Sequence, residues 1–168
     1  MDLNGYPIEA GANLAGANLA GANLAGASLF GANFAGADLT EANLSSAMMA
    51  FSNLSSATCK CAILNSANLT GATLSETYLY AAIARTADFS KAKLYGTSLA
   101  GSDLSNSNFY AAQLHRTHLY DAILSGASFL NAEFSEIEMR FETYILNCHD
   151  VVLPDGSLTR PHPVSTEE

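Results

Sequence analysis

His115 and His118 bracket Arg116, and Asp121 follows shortly after. Imidazoles and a carboxylate this close in sequence are the pieces of a metal site or a proton relay. A metal wants three or four converging ligands. Only two suitable ones sit near each other, so these residues read as solvated corner residues and no metal is expected. The cysteines, Cys59, Cys61 and Cys148, come next. An odd count, with two of them one residue apart, makes no disulfide framework and fits free thiols in a reducing compartment. No serine stands in a nucleophile elbow, no glycine cluster has the spacing of a phosphate loop, and no carboxylates form an acid–base couple. The chain is therefore expected to be non-enzymatic and to need no cofactor.

The elements that carry these residues are unusual in composition. The 168 residues include no Trp, 14% are charged, and alanine makes up much of the 49% apolar content. Alanine fills little volume, so a thin, repetitive core is expected rather than a mixed one. The stretch 10–37 is apolar, but Asn13, Asn18, Asn23 and Asn33 recur inside it. Buried amides at that density, together with the glycines, argue against a membrane helix. The first residues show no basic leader or apolar signal segment, so a cytoplasmic location is expected. A leader already removed would instead place the chain in the periplasm or the thylakoid lumen.

A bulky apolar residue occupies every fifth position from Leu14 to Phe134, with only Cys59 and Ala84 falling short. Two residues before each stands a small side chain, mostly Ala, with Ser or Thr at 52, 77, 97, 102, 107 and 117. Period five fits neither an α-helix nor a flat strand, since it would smear the leucines around the first and alternate them across the second. The backbone must turn a corner every five residues.

The run AN-L-AG, AN-L-AG, AS-L-FG, AN-F-AG, AD-L-TE resembles the pentapeptide-repeat family, pattern A(N/D)LXX, from residue 12 to about 134. The resemblance implies an all-β fold, a right-handed quadrilateral parallel β-helix of six to seven coils, about 30 Å long at the β spacing. The central residue and the preceding Ala would point inward. Sorting the centres in steps of twenty then gives four columns. The first is Leu14, Phe34, Leu54, Leu74, Leu94, Leu114 and Phe134; the fourth ends in Phe89, Phe109 and Phe129, an expected aromatic ladder. Thr77, Thr97 and Thr117 would form an inward hydroxyl ladder, and Asn13, Asn33 and Asn53 an outward amide ladder. Ala84, in a column of leucines, is expected to leave a gap or force a local collapse.

Three regions follow: a lead-in cap at 1–11, the β-helix with an irregular last coil at 12–146, and a turn and tail at 147–168. Phe141, Tyr144, Ile145 and Leu146 are expected to cap the C-terminal end or to form a homodimer contact there. The segment VVLPDGSLT reads as a hairpin around Pro154-Asp155-Gly156.

Function must then lie on the outside. Coils one and two are expected to expose Ala, Gly and Asn, a smooth and nearly uncharged wall. Tyr78, Tyr80, Tyr95, Tyr110, Tyr120, His115, His118, Ile63 and Ile83 point outward and form the expected surface for an unidentified protein partner. Known members of this family interfere with type II topoisomerases as acidic mimics of DNA, and the net charge of −9 invites that alternative. Within 11–134, however, Asp38, Glu41, Glu76, Asp88, Asp103, Asp121 and Glu133 face Lys60, Arg85, Lys91, Lys93 and Arg116, leaving about −2. A duplex carries one charge per about 1.7 Å, which such a rod does not match. Nucleic-acid binding is opposed by the acidic balance and the lack of a basic stripe. The preferred reading is a protein-interaction scaffold.

Overall fold

Each five-residue unit closes with a turn. The Leu14 carbonyl accepts a hydrogen bond from the Ala17 amide at 3.1 Å, and Gly16 between them has φ +65°. A positive φ at the third residue of such a turn is the type II signature. The same left-handed corner recurs at every fifth residue from Gly11 to Glu136. The first corners are glycines, which take this conformation freely. Later ones are not: Phe51 (φ +60°) and Thr86 (φ +56°) sit where an L side chain costs about 1–2 kcal/mol. At Gly71 a Cβ would lie 2.7 Å from the Phe51 ring, so a side chain there would have to push that exposed ring aside.

The corners are held by what lies above and below. In a computed structural model, which describes residues 2–3, 5–136 and 151–157, residue i pairs in parallel with residue i+20, from Asn13↔Asn33 to Asn108↔Ser128. Each rung contributes three interstrand bonds of the kind Leu14 N–H to Asn33 O (2.7 Å), Gly16 N–H to Ala35 O (2.9 Å) and Asn33 N–H to Ala12 O (2.9 Å). Four units per turn make a right-handed, four-sided β-helix. Most rungs are single-residue bridges. Among the described residues longer strands appear only towards the ends: β1 (Asp2–Leu3) pairs antiparallel with β2 (Tyr6–Pro7), and β3 (Gln113–His115) pairs in parallel with β4 (Glu133–Ser135).

The interior is filled by the centre residues and the small residues two before them. Leu14, Phe34, Leu54, Leu74, Leu94 and Leu114 are buried, and Phe134, uppermost in that column among the described residues, is half-buried. Phe89, Phe109 and Phe129 stack with centroids 4.8 Å apart and planes within 7°. Thr77, Thr97 and Thr117 are buried, and each hydroxyl donates to a carbonyl of the coil before it: Leu54, Leu74 and Leu94 at 2.6–2.7 Å. Ser102 and Ser107 satisfy theirs within their own turns. The Ser52 hydroxyl is buried and has no hydrogen-bond partner among the described residues. At Ala84 the ladder passes unbroken, its amide donating to Asp103 O at 2.8 Å.

The two ends differ. At the N-terminus the β1–β2 hairpin closes over the first coil, with Ile8 buried and Leu3 and Tyr6 packed on the core. At the C-terminus Val152, read from sequence as part of a turn and tail, forms a parallel bridge with Ser128 and so adds a rung to the fourth wall. The Pro154-Asp155 turn follows, closed by Gly156 N–H to Leu153 O and Leu153 N–H to Ser157 O. Phe141, Tyr144, Ile145 and Leu146 lie outside the described residues.

Candidate interaction walls

Each wall presents three outward positions per rung, and the ladder decides which side chains meet. Where the residue before a centre is Asn or Asp, as in eleven of the twenty-five units, its side chain caps the turn: Asn13, Asn18, Asn33, Asn53, Asn68, Asp88, Asp103 and Asn108 each accept the amide two residues on. These are Asx turns repeated along a rod. On the first wall the amides also join each other, Asn33 Nδ2 to Asn13 Oδ1 at 3.1 Å and Asn53 to Asn33 at 3.3 Å, which is the expected ladder. Where Ile83 replaces Asn the cap comes from the coil below, the Arg85 amide donating to Asn65 Oδ1 at 3.1 Å.

The outward tyrosines do not share one wall. Tyr78 and Tyr80 flank Leu79 on the second wall and are 59% and 52% exposed, with His118 and Tyr120 higher on that wall. Tyr95 and His115 lie on the first wall around the corner, Tyr110 on the fourth, and Ile63 and Ile83 are bridged neighbours on the third. Nine residues read as one surface therefore spread over four walls. Tyr120, His115, His118 and Ile63 are also half-buried rather than freely presented. The cause is the twenty-residue register, which separates side chains that are close in sequence by whole corners.

The upper part of the first wall is tied by ionic and ring contacts. Arg116 lies 5.9 Å over the Tyr95 ring and pairs with Glu136 at 2.7 Å. Its Glu136 partner, by hydrogen bond and charge, raises the guanidinium further above its ordinary value. His115 Nδ1 meets Ser135 Oγ at 2.6 Å, and its other nitrogen lies 3.8 Å from Glu133. No group of three or more metal-capable side chains exists among the described residues.

On the third wall Arg85 pairs with Asp103 at 2.6 Å. Burial pushes the Asp103 carboxyl up, but hydrogen bonds from Ser105 and Arg85 outweigh it and hold the group below its usual value. Asp38 is likewise lowered by the Thr40 hydroxyl and amide. Cys59 is an inward centre, and burial pushes its thiol up to about 12, whereas Cys61 sits half-exposed at a corner.

One feature departs from the smooth wall expected of the first two coils. Phe30 (53% exposed) and Phe51 (61%) meet edge-to-face at 5.5 Å on the fourth wall, beside exposed Met48. The signal was present in the sequence: aromatic letters occupy turn positions that in the adjacent units hold Ala (25 and 35) or Ser (46 and 56). Leu130 and Ile123 are further exposed apolar residues near the other end.

No helix among the described residues is long and apolar enough to cross a membrane. No curated protein matches the chain. Among solved structures it is similar to HetL, a pentapeptide repeat protein involved in heterocyst differentiation regulation from the cyanobacterium Nostoc. The two share 25% identity over 89% of this chain and 73% of that one, with a TM-score of 0.54. It is also similar to a pentapeptide repeat protein of the Arabidopsis thaliana thylakoid lumen, at 23% identity, 73% and 83% coverage and a TM-score of 0.54. A cyanobacterial pentapeptide repeat protein from Cyanothece shares 29% identity over 76% and 88% of the two chains, with a TM-score of 0.47. The model for pentapeptide repeats matches eight copies across residues 10–45, 47–83 and 87–126. With its corners, ladders and most of its length accounted for by that repeat, the chain belongs to the pentapeptide-repeat family.

Proposed function

We propose that the chain is a non-enzymatic scaffold whose walls dock a protein partner. The observation that carries this reading is the pairing of Tyr78 and Tyr80 on one rung, both more than half exposed on a backbone that the ladder holds rigid. Tyrosine supplies contact area and a hydroxyl at little entropic cost, which is why it is enriched at interfaces. A packed interior of Leu, Phe and Ala leaves the walls as the surface for recognition. HetL, the relative involved in differentiation control, is compatible with such a regulatory docking role.

The test is affinity capture from the source cells with the full chain and with Tyr78→Ala/Tyr80→Ala. The variant should keep its thermal midpoint within about 2 °C, because exposed substitutions away from special features change stability little. It should lose at least one partner that the parent retains. Identical partner sets would overturn the proposed wall. The DNA-mimic alternative predicts an effect on gyrase supercoiling; with the wall charges nearly balanced, none is expected.

A further inference from the structure

Charge is shared unevenly among the four walls. From Ser28 to Asn131 the outward positions of the fourth wall hold Asp88, Lys91 and no other charged residue. Both belong to one coil, Asp88 at mid-wall and Lys91 at the corner that follows. The ion pairs among the described residues engage Arg85, His115 and Arg116, which leaves Asp88 and Lys91 without one. Asp88 is nevertheless held in place. Its Oδ1 accepts the Ser90 amide at 2.9 Å and Asn108 Nδ2 at 3.3 Å, while Oδ2 takes only the Thr70 hydroxyl, at 3.3 Å, among the described residues. Two coils below, the same wall turns apolar, with Met48 at mid-wall, Phe51 at the corner and Phe30 one coil lower. The Phe51 ring rests over Gly71, and Phe30 meets it edge-on, so the two rings brace each other in an outward pose.

We propose that this wall pairs with the same wall of a second copy, the two rods lying side by side and parallel about a two-fold axis along their length. The wall is self-complementary in that one arrangement. A two-fold contact sets residue i against j and j against i. With the axis along the rods, every coil stays level with its counterpart and only left and right exchange, so mid-wall positions face the corner positions of the same coil. Met48 then meets Phe51 and Asp88 meets Lys91, twice each. An axis across the wall would keep mid-wall against mid-wall, and Lys91 would never stand opposite Asp88. Charge also selects the occupant. At −9 overall, two copies repel unless they meet on a balanced face, and an anionic lipid surface or a nucleic acid would find a single lysine here. Area sets the strength. About half of the 150–250 Å² that an aromatic side chain carries, taken for both rings with Met48, gives a patch of roughly 300 Å², a size at which exposed apolar surface is often functional. A standard interface buries about 800 Å² per partner. The rest must come from the polar rungs above, so the dimer is reversible, with a dissociation constant on the order of micromolar. The pairing leaves the second wall open and does not depend on the scaffold reading.

The test borrows residues that the chain already uses at equivalent corners. Phe51→Ser copies Ser46 and Ser56, and Lys91→Glu copies Glu76, so both variants should keep the circular dichroism and thermal midpoint of the parent. Sedimentation equilibrium of the full chain should show a monomer–dimer equilibrium whose dissociation constant either substitution raises about tenfold or more. Adding Asp88→Asn to Lys91→Glu keeps a capping side chain and removes the carboxylate that the new glutamate faces, so part of the loss should be recovered. Carbodiimide joins a carboxylate to an amine in direct contact. In a mixture of isotope-labelled and unlabelled copies it should link Asp88 of one to Lys91 of the other. A chain that stays monomeric at every concentration, including one that instead binds phosphatidylcholine vesicles through Phe51, overturns the pairing. So does a dimer that neither substitution weakens, or one that yields no mixed-isotope link between Asp88 and Lys91.

Discussion

At the residue scale, an inward polar atom is least costly where the ladder supplies a partner. Thr97 shows the satisfied case, donating to the Leu74 carbonyl, and Ser52 the unsatisfied one. A buried hydroxyl without a partner costs about 1–3 kcal/mol. Its column is otherwise Ala, so Ser52→Ala should stabilise the fold by about 1 kcal/mol, read as a higher urea midpoint at unchanged m-value. A lower midpoint would mean that the hydroxyl is bonded after all. The cysteines make a second case. With the Cys59 thiol pushed up to about 12, it stays neutral in the folded state. Its contribution is then complete below the ordinary thiol range near 9 and is lost as pH rises toward the folded value. At pH 8 iodoacetamide should modify Cys61 readily and leave Cys59 untouched until denaturant is added, as peptide mass mapping would show.

At the element scale, the unit of stability is the column rather than the rung. Phe109 has a stacked ring on either side, Phe89 below and Phe129 above. Phe109→Ala removes both contacts and opens a cavity at the middle of the ladder, so it should cost about 3–5 kcal/mol. Asn33 is the outward counterpart. It caps its own turn and links Asn13 to Asn53, all in partly solvated positions. Asn33→Ala should therefore cost only about 1 kcal/mol. Equal losses for the two variants in chemical denaturation would show that the outward ladder bears as much as the core.

At the scale of the whole molecule, the chain is a one-dimensional array whose coils contact their nearest neighbours. Deleting residues 95–114 removes one full coil and brings Phe89 beneath Phe129, which keeps the register of every column. That variant should remain folded with a β-type circular dichroism spectrum and a cooperative transition. Deleting only 95–98 puts every later Leu and Ala out of the inward frame, and the variant should lose cooperative unfolding. Survival of the shorter deletion, or collapse of the longer one, would contradict a twenty-residue coil.

The division between what the chain alone dictated and what needed three dimensions follows the same scales. Period five with a small residue two before each centre is a local constraint, so the corners and the filled interior were legible in the letters, whereas the Phe89–Phe109–Phe129 stack and the Thr77–Thr97–Thr117 ladder followed from the four-unit coil that the family resemblance implies. The outward residues were not. Exposure at a corner depends on which side chains lie one coil away, so the tyrosines scattered over three walls, and Phe30 met Phe51 twenty-one residues on. Nor could the last rung be read: once the repeat degrades after Phe134, no period remains to say that Val152, rather than residue 148, would meet Ser128. Regular spacing fixes what repeats, and tertiary contact decides what happens where the spacing stops.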